Sequence, residues 1–262
     1  MTEEVVRWTV LVGSAFAAGV LNSIAGGGTL LTFPALLGFG IAPGPDAGVQ
    51  ANATSTVALL PGSIAGAWGY RRQLDEAGPW VWLLMVPSLV GGAIGTLLVT
   101  RLDPRIFGVL VPWLLLAATV LFVLQPVFRR FVVQNEIGLP SWPVRSALVL
   151  FQLLVAIYGG YFGAGIGILM LSSLGLMGIG DIHRINGVKT ILAAAINAVS
   201  VAVFVYFGSV VWLPALVMMV GSVAGGYAGA TLGQRLPREV VRWIVIALGI
   251  GLTAYYFARP VT

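Results

Sequence analysis

Apolar runs of about twenty residues, cut by short polar intervals, recur along the whole chain. Trp80 to Val99, Ile106 to Phe128 and Ala51 to Tyr70 are almost free of charge, and each is long enough to cross the hydrocarbon core of a bilayer as a helix. The ten-residue alternation of an outer-membrane barrel is absent. The pattern predicts ten segments, at about 5–25, 28–40, 49–70, 79–100 and 105–128, then about 145–162, 165–179, 186–208, 211–232 and 239–258. The second and seventh are short for a spanning helix. They read either as crossings or as re-entrant segments, which leaves eight to ten transmembrane helices in an all-α polytopic membrane protein.

The segments fall into two related sets. "GGAIGTLLVTRL" from Gly91 matches "GGYAGATLGQRL" from Gly225, an offset of 134, and "AGGGTLL" from Ala25 aligns with "FGAGIGI" from Phe162, an offset of 137. The chain therefore reads as a duplication: residues 1–130 form a first repeat, 131–144 a cytoplasmic linker, and 145–262 a second repeat. Five crossings per repeat is an odd number, so the second repeat enters the membrane from the opposite side and the two are inverted, with glycine-broken or re-entrant helices at the centre.

Composition agrees with that class. The chain is 58% hydrophobic and 9% charged, with a mean hydropathy of +0.98, whereas a soluble domain carries about 25% charged residues. Its net charge of +5 distributes as membrane topology and not as a basic domain, so no nucleic-acid partner is expected. Arg71, Arg72, Arg129, Arg130, Arg145, Arg184, Lys189, Arg235, Arg238 and Arg242 fall on one face, and Arg7, Arg101, Arg105 and Arg259 on the other. The positive-inside rule makes the first face cytoplasmic and leaves both termini outside if all ten segments cross. Ala15-Phe16-Ala17 imitates a signal-peptidase site, but Glu3 and Glu4 stand where a signal needs basic residues. Zero cysteines exclude disulfides and thiolate chemistry.

The chemistry concentrates where the segments break. In "NSIAGGGTLLTFP", Gly26, Gly27 and Gly28 interrupt an apolar stretch, and backbone freed at membrane depth is tolerated only where protein or a watery cavity satisfies it. A helix restarting at Thr29 directs its first N–H groups and positive dipole end into the opening, an arrangement suited to an anion. "YGGYFGAGIGILM" repeats the device with Gly163, Ala164, Gly165 and Ile166, and paired breaks in two inverted halves point to a central site. Asn22 precedes the first break. Asn52, Thr54 and Ser55 follow it, and Asn186, Lys189, Thr190 and Asn197 occupy the equivalent stretch of the second half. Lys189 reads either as an anion partner or as a lysine reaching for the membrane surface. His183 beside Asp181 offers a proton relay, although a histidine in a basic loop is more often merely solvated. The glycines Gly62/Gly66, Gly91/Gly95 and Gly221/Gly225/Gly229, spaced by four, read as helix-packing positions. All nine acids lie in loops or at segment ends, which argues against a cation substrate. No phosphate-binding loop, zinc-protease or serine-elbow motif is present, so no cofactor, metal or enzymatic activity is expected.

Taken in order, "GVLNSIAGGGTLLTFPALLGFG", "ANATS", "GSIAGAWGYRRQLD", "GGAIGTLLVTRL", "GGYFGAGIGILML" and "RINGVKT" resemble the TauE/SafE family of sulfite and organosulfonate exporters across essentially the whole chain. The resemblance implies a bacterial plasma-membrane secondary transporter that exports a small sulfur-containing anion such as sulfite, thiosulfate or sulfoacetate. A passive anion channel and, more remotely, a membrane-embedded enzyme using His183 and Asp181 are the competing readings. The small-residue faces serve internal packing or a homodimer.

Overall fold

A computed structural model describes residues 2–24, 26–40, 44–71, 78–130, 142–176, 182–231 and 238–259. Among the described residues there are ten helices and no strand: α1 Thr2–Ile24, α2 Thr29–Gly38, α3 Ala47–Gly69, α4 Gly78–Arg101, α5 Pro104–Arg130, α6 Trp142–Tyr161, α7 Ile166–Leu176, α8 Ile182–Tyr206, α9 Trp212–Thr231 and α10 Arg238–Ala258. Six of them are long and apolar enough to cross a bilayer, and the chain is a multi-pass membrane protein. Most of the linker expected at 131–144 lies outside the described residues, and its last three residues already belong to α6.

Two departures from the hydropathy pattern have physical causes. The second and seventh segments are helices of 10 and 11 described residues, only about 15 Å at 1.5 Å per residue, each starting directly after a glycine break. α3 is 23 residues long, yet it is not among the six apolar spans. Its Asn52, Thr54, Ser55 and Ser63 are all buried, so its polarity faces protein, while Val86, Trp82, Val109, Leu150 and Val220 on other helices stay exposed as a lipid-facing surface requires.

Small residues set the helix pairing. Along α1 and α9, Val12 meets Gly221, Phe16 meets Gly225 and Val20 meets Gly229, so the two helices run the same way. α3 joins them in that direction, with Ala58 bonded to Ser222, Gly62 against Gly226 and Gly69 against Ala230. A second group repeats the arrangement: Gly91 and Gly95 of α4 pack on Leu153 and Ile157 of α6, and Gly92 and Thr96 face Ile196 and Ser200 of α8. The groups run in opposite directions and meet where α3 crosses α8, Ser63 beside Asn197 and Gly66 beside Thr190. Packing partners are exchanged between the first five helices and the last five: α1 on α9 corresponds to α6 on α4, and α2 on α1 and α3 to α7 on α6 and α8. Since α1 and α3 run the same way, the chain between them returns across the molecule.

Candidate functional site

The site begins with the two glycine breaks, which touch. A side chain on Gly26 would strike the backbone of Gly167 at 2.5 Å, and one on Gly27 would strike Gly165 at 2.8 Å. Gly26, Gly27, Gly163 and Gly165 all have positive φ, from 75° to 110°, a region that residues with a Cβ enter only at a cost. The tripled glycine in the sequence therefore answers two demands together, a left-handed backbone and close approach of a second backbone.

Beside this junction lies a cavity with about 30 Å³ of space for water-sized groups, against roughly 10–15 Å³ required by one water. That is room for about two or three waters. Thr29 and Ile166, the first residues of α2 and α7, both line it, so the positive ends of two half-helices stand beside one space. Lys189 also lines it, 1% exposed, with Nζ 3.4 Å from the Ser23 carbonyl oxygen. The lysine is thus drawn inward to the cavity and does not reach for the membrane surface.

The lining pairs residues separated by 137: Asn22 with Gly159, Gly26 with Gly163, Thr29 with Ile166 and Thr56 with Ala193. In three of these pairs the polar member comes from the first half. α3 and α8 add Ser63, Thr190 and Asn197, with Asn197 Nδ2 donating to Ser63 Oγ at 3.3 Å. Leu59 and Phe162 supply apolar walls, and Phe162 is held edge-on by Phe33 at 5.4 Å.

Of the residues singled out from sequence, Asn22, Gly26, Thr29, Gly163, Ile166, Lys189, Thr190 and Asn197 line the cavity. Asn22 does something the sequence did not suggest. Its Oδ1 accepts from the N–H groups of Gly27 at 3.1 Å and Gly28 at 2.7 Å, so donors expected to point freely into the opening are already satisfied by a side chain. Gly27, Gly28, Ala164 and Gly165 shape the breaks, and Tyr158 Oη donates to the Ala164 carbonyl at 2.6 Å.

Four expected residues are placed elsewhere. Asn52 turns to the Tyr161 carbonyl, Thr54 accepts from Val211 N–H, Ser55 pairs with Thr32, and Asn186 is buried on α8 beside the Thr190 hydroxyl that donates to its carbonyl. Asp181 and the side chain of His183 lie outside the described residues, and the relay expected of them goes with them. Thr56, Leu59 and Ser63, which sequence reasoning did not assign, share one face of α3 at helical spacing, a signal that was available.

The sequence profile of the family described as Sulfite exporter TauE/SafE matches residues 11–256. Among curated proteins, the chain is 28% identical over 250 residues to a Haemophilus influenzae protein named "Probable membrane transporter protein", covering 94% of this chain and 92% of that one. It is 29% identical over 252 residues to a Sinorhizobium protein named "Probable membrane transporter protein ORF9", at 94% and 91% coverage. The Escherichia coli K12 protein named "Probable membrane transporter protein YfcA" is 29% identical over 238 residues, at 88% and 84% coverage. No solved structure matches the chain significantly.

Proposed function

We propose, for a chain that belongs to the sulfite exporter TauE/SafE family, that it exports a small sulfur oxyanion, such as sulfite, thiosulfate or sulfoacetate, from the bacterial cytoplasm by alternating access. The observation that carries this reading is the convergence of the α2 and α7 N-termini with Lys189 on one small cavity where the two breaks meet. Positive ends of half-helices aimed at an anionic group are the binding device of broken-helix transporters. Asn22, Thr29, Thr190 and Asn197 supply the neutral polar lining.

Residues 1–130 and 145–262 act in this reading as inverted repeats. The opposite directions of α1 and α3 against α6 and α8 support it, as does the net return of the chain between α1 and α3. Arg7, Arg101, Arg105 and Arg259 lie at the end where α1 begins and α4 and α10 finish, and Arg71, Arg145 and Arg184 at the other. The sequence assigns ten of the fourteen basic residues to that second face, and the positive-inside rule then supports periplasmic termini.

Thermal unfolding of the detergent-purified protein against sulfite, thiosulfate, sulfoacetate, taurine and sulfate tests the substrate class, because a ligand selective for the folded state raises its apparent stability. Stabilisation by a sulfur oxyanion, followed by its flux in proteoliposomes, is the expected result. No anion-dependent shift would sink the reading.

A further inference from the structure

The ends of the two helices that precede the breaks are built alike but met differently. Gly26 N–H bonds the Leu21 carbonyl beyond α1, and Gly163 N–H bonds the Tyr158 carbonyl beyond α6, each partner 137 residues from its counterpart. Lys189 follows Asn52 by the same 137. Lys189 Nζ reaches the Ser23 carbonyl at the end of α1, 3.4 Å away, and Asn52 Nδ2 donates to the Tyr161 carbonyl at the end of α6, 3.0 Å away. The carbonyl end of a helix is its negative pole. At α1 a tethered ammonium meets it. At α6 only neutral groups do, the Asn52 amide on the Tyr161 carbonyl and the Thr96 hydroxyl on that of Gly160.

That amide carries an unmet demand. Asn52 is 1% exposed, and its Oδ1 is buried with no hydrogen-bond partner. Its orientation is fixed by chemistry, since only the NH₂ can donate to a carbonyl, so the oxygen is the atom left over beside the helix end. A buried acceptor without a partner calls for an explanation, and an unseen ion is one.

We propose that the C-terminal end of α6 beside Asn52 is a binding site for a monovalent alkali cation, sodium first among them, held by Asn52 Oδ1 and the carbonyl oxygens that close α6. The Lys189 ammonium is the covalently attached counterpart of that ion at the equivalent place on α1. Neutral oxygens suit a single charge, whereas calcium sites are built largely from carboxylates, and among the described residues no group of three His, Cys, Asp or Glu side chains comes together. Carbonyl ends of broken helices coordinate sodium in inverted-repeat transporters. Phe162 and Gly163 follow directly on α6 and line the cavity, so a cation there raises the affinity of an anion in the cavity and the anion raises that of the cation. The inference extends the transport reading by naming a coupling ion.

The test is thermal unfolding of the detergent-purified full chain in lithium, sodium, potassium and choline chlorides at matched ionic strength, for the natural chain, Asn52→Leu and Asn52→Asp. A saturable rise in Tm with sodium over choline, lost in Asn52→Leu, is expected. Asn52→Asp places a carboxylate against the carbonyl end, and its half-saturating sodium concentration falls about tenfold, as ligand charge tunes cation sites. Asn52→Asp alone decides the matter if Asn52→Leu does not fold. Equal melting in all four chlorides overturns the proposal. A sodium response that survives in Asn52→Leu, or one unchanged in Asn52→Asp, also overturns it and leaves water as the partner of Oδ1. The sulfite-dependent shift, measured in choline chloride, is read separately: its failure counts against the anion and leaves the cation result standing.

Discussion

Lys189 is a charge withdrawn from water to a depth where charges are costly, and its effects on stability and on binding should have opposite signs. A buried charge carries a desolvation cost that an apolar side chain of similar volume does not. Lys189→Met should therefore keep or raise the Tm of the ligand-free protein while weakening sulfite-dependent stabilisation about 10- to 100-fold, the worth of a charged hydrogen bond. An unchanged sulfite response would remove Lys189 from the site. Asn22 has the reverse profile. Asn22→Ala leaves the Gly27 and Gly28 N–H groups without their acceptor, at about 1–3 kcal/mol for each unmet group, and should lower the midpoint of chemical denaturation. Asn22→Asp keeps the acceptor and should restore it. At this scale the sequence disclosed the residues better than their duties. Three adjacent glycines and a solitary lysine announced a break and a charge. Nothing in the spacing told that Asn22 would satisfy donors five and six residues ahead of it, or that Asn52 would turn to α6, because side-chain direction is decided by neighbours distant in sequence.

Among elements, the pairing of α1 with α9 and of α4 with α6 depends on backbones that approach until no side chain fits between them. Van der Waals contact of this kind replaces the hydrophobic drive that lipid cannot supply. A Cβ on Gly226 would run into the Gly62 carbonyl, whereas one on Gly13, on the same α1–α3–α9 group, meets nothing within 4 Å. Gly226→Val should abolish the monodisperse peak in size-exclusion chromatography. Gly13→Ala should be tolerated and gain up to about 1 kcal/mol from improved helix propensity; a loss of stability there would show contacts on the lipid-facing side. Hydropathy located all ten elements to within a few residues, and spacing by four marked the packing glycines. It could not show that α1 and α3 share a direction, which only their contacts with α9 reveal.

For the whole molecule, the repeats visible in sequence are not the bodies that pack. Internal similarity tells which segments are equivalent, but it is silent on where they dock, and α4 lies with α6 and α8 while α9 lies with α1 and α3. The movement proposed for transport then runs along the seam between these mixed groups, where Ser63 and Asn197 touch. The chain has no cysteine, so a Ser63→Cys/Asn197→Cys pair offers a clean lock: oxidation should stop sulfite flux in proteoliposomes and reduction should restore it. Flux that continues in the oxidised pair would place the movement elsewhere. The same exchange of helices orders the birth of the protein. α1 and α3 leave the ribosome long before α9 is made, and until then Gly19, Gly62 and Gly69 lack the α9 residues they pack against. An arrest at the end of α5 would strand a half that lacks its third helix while holding, in α4, one that belongs to the other half.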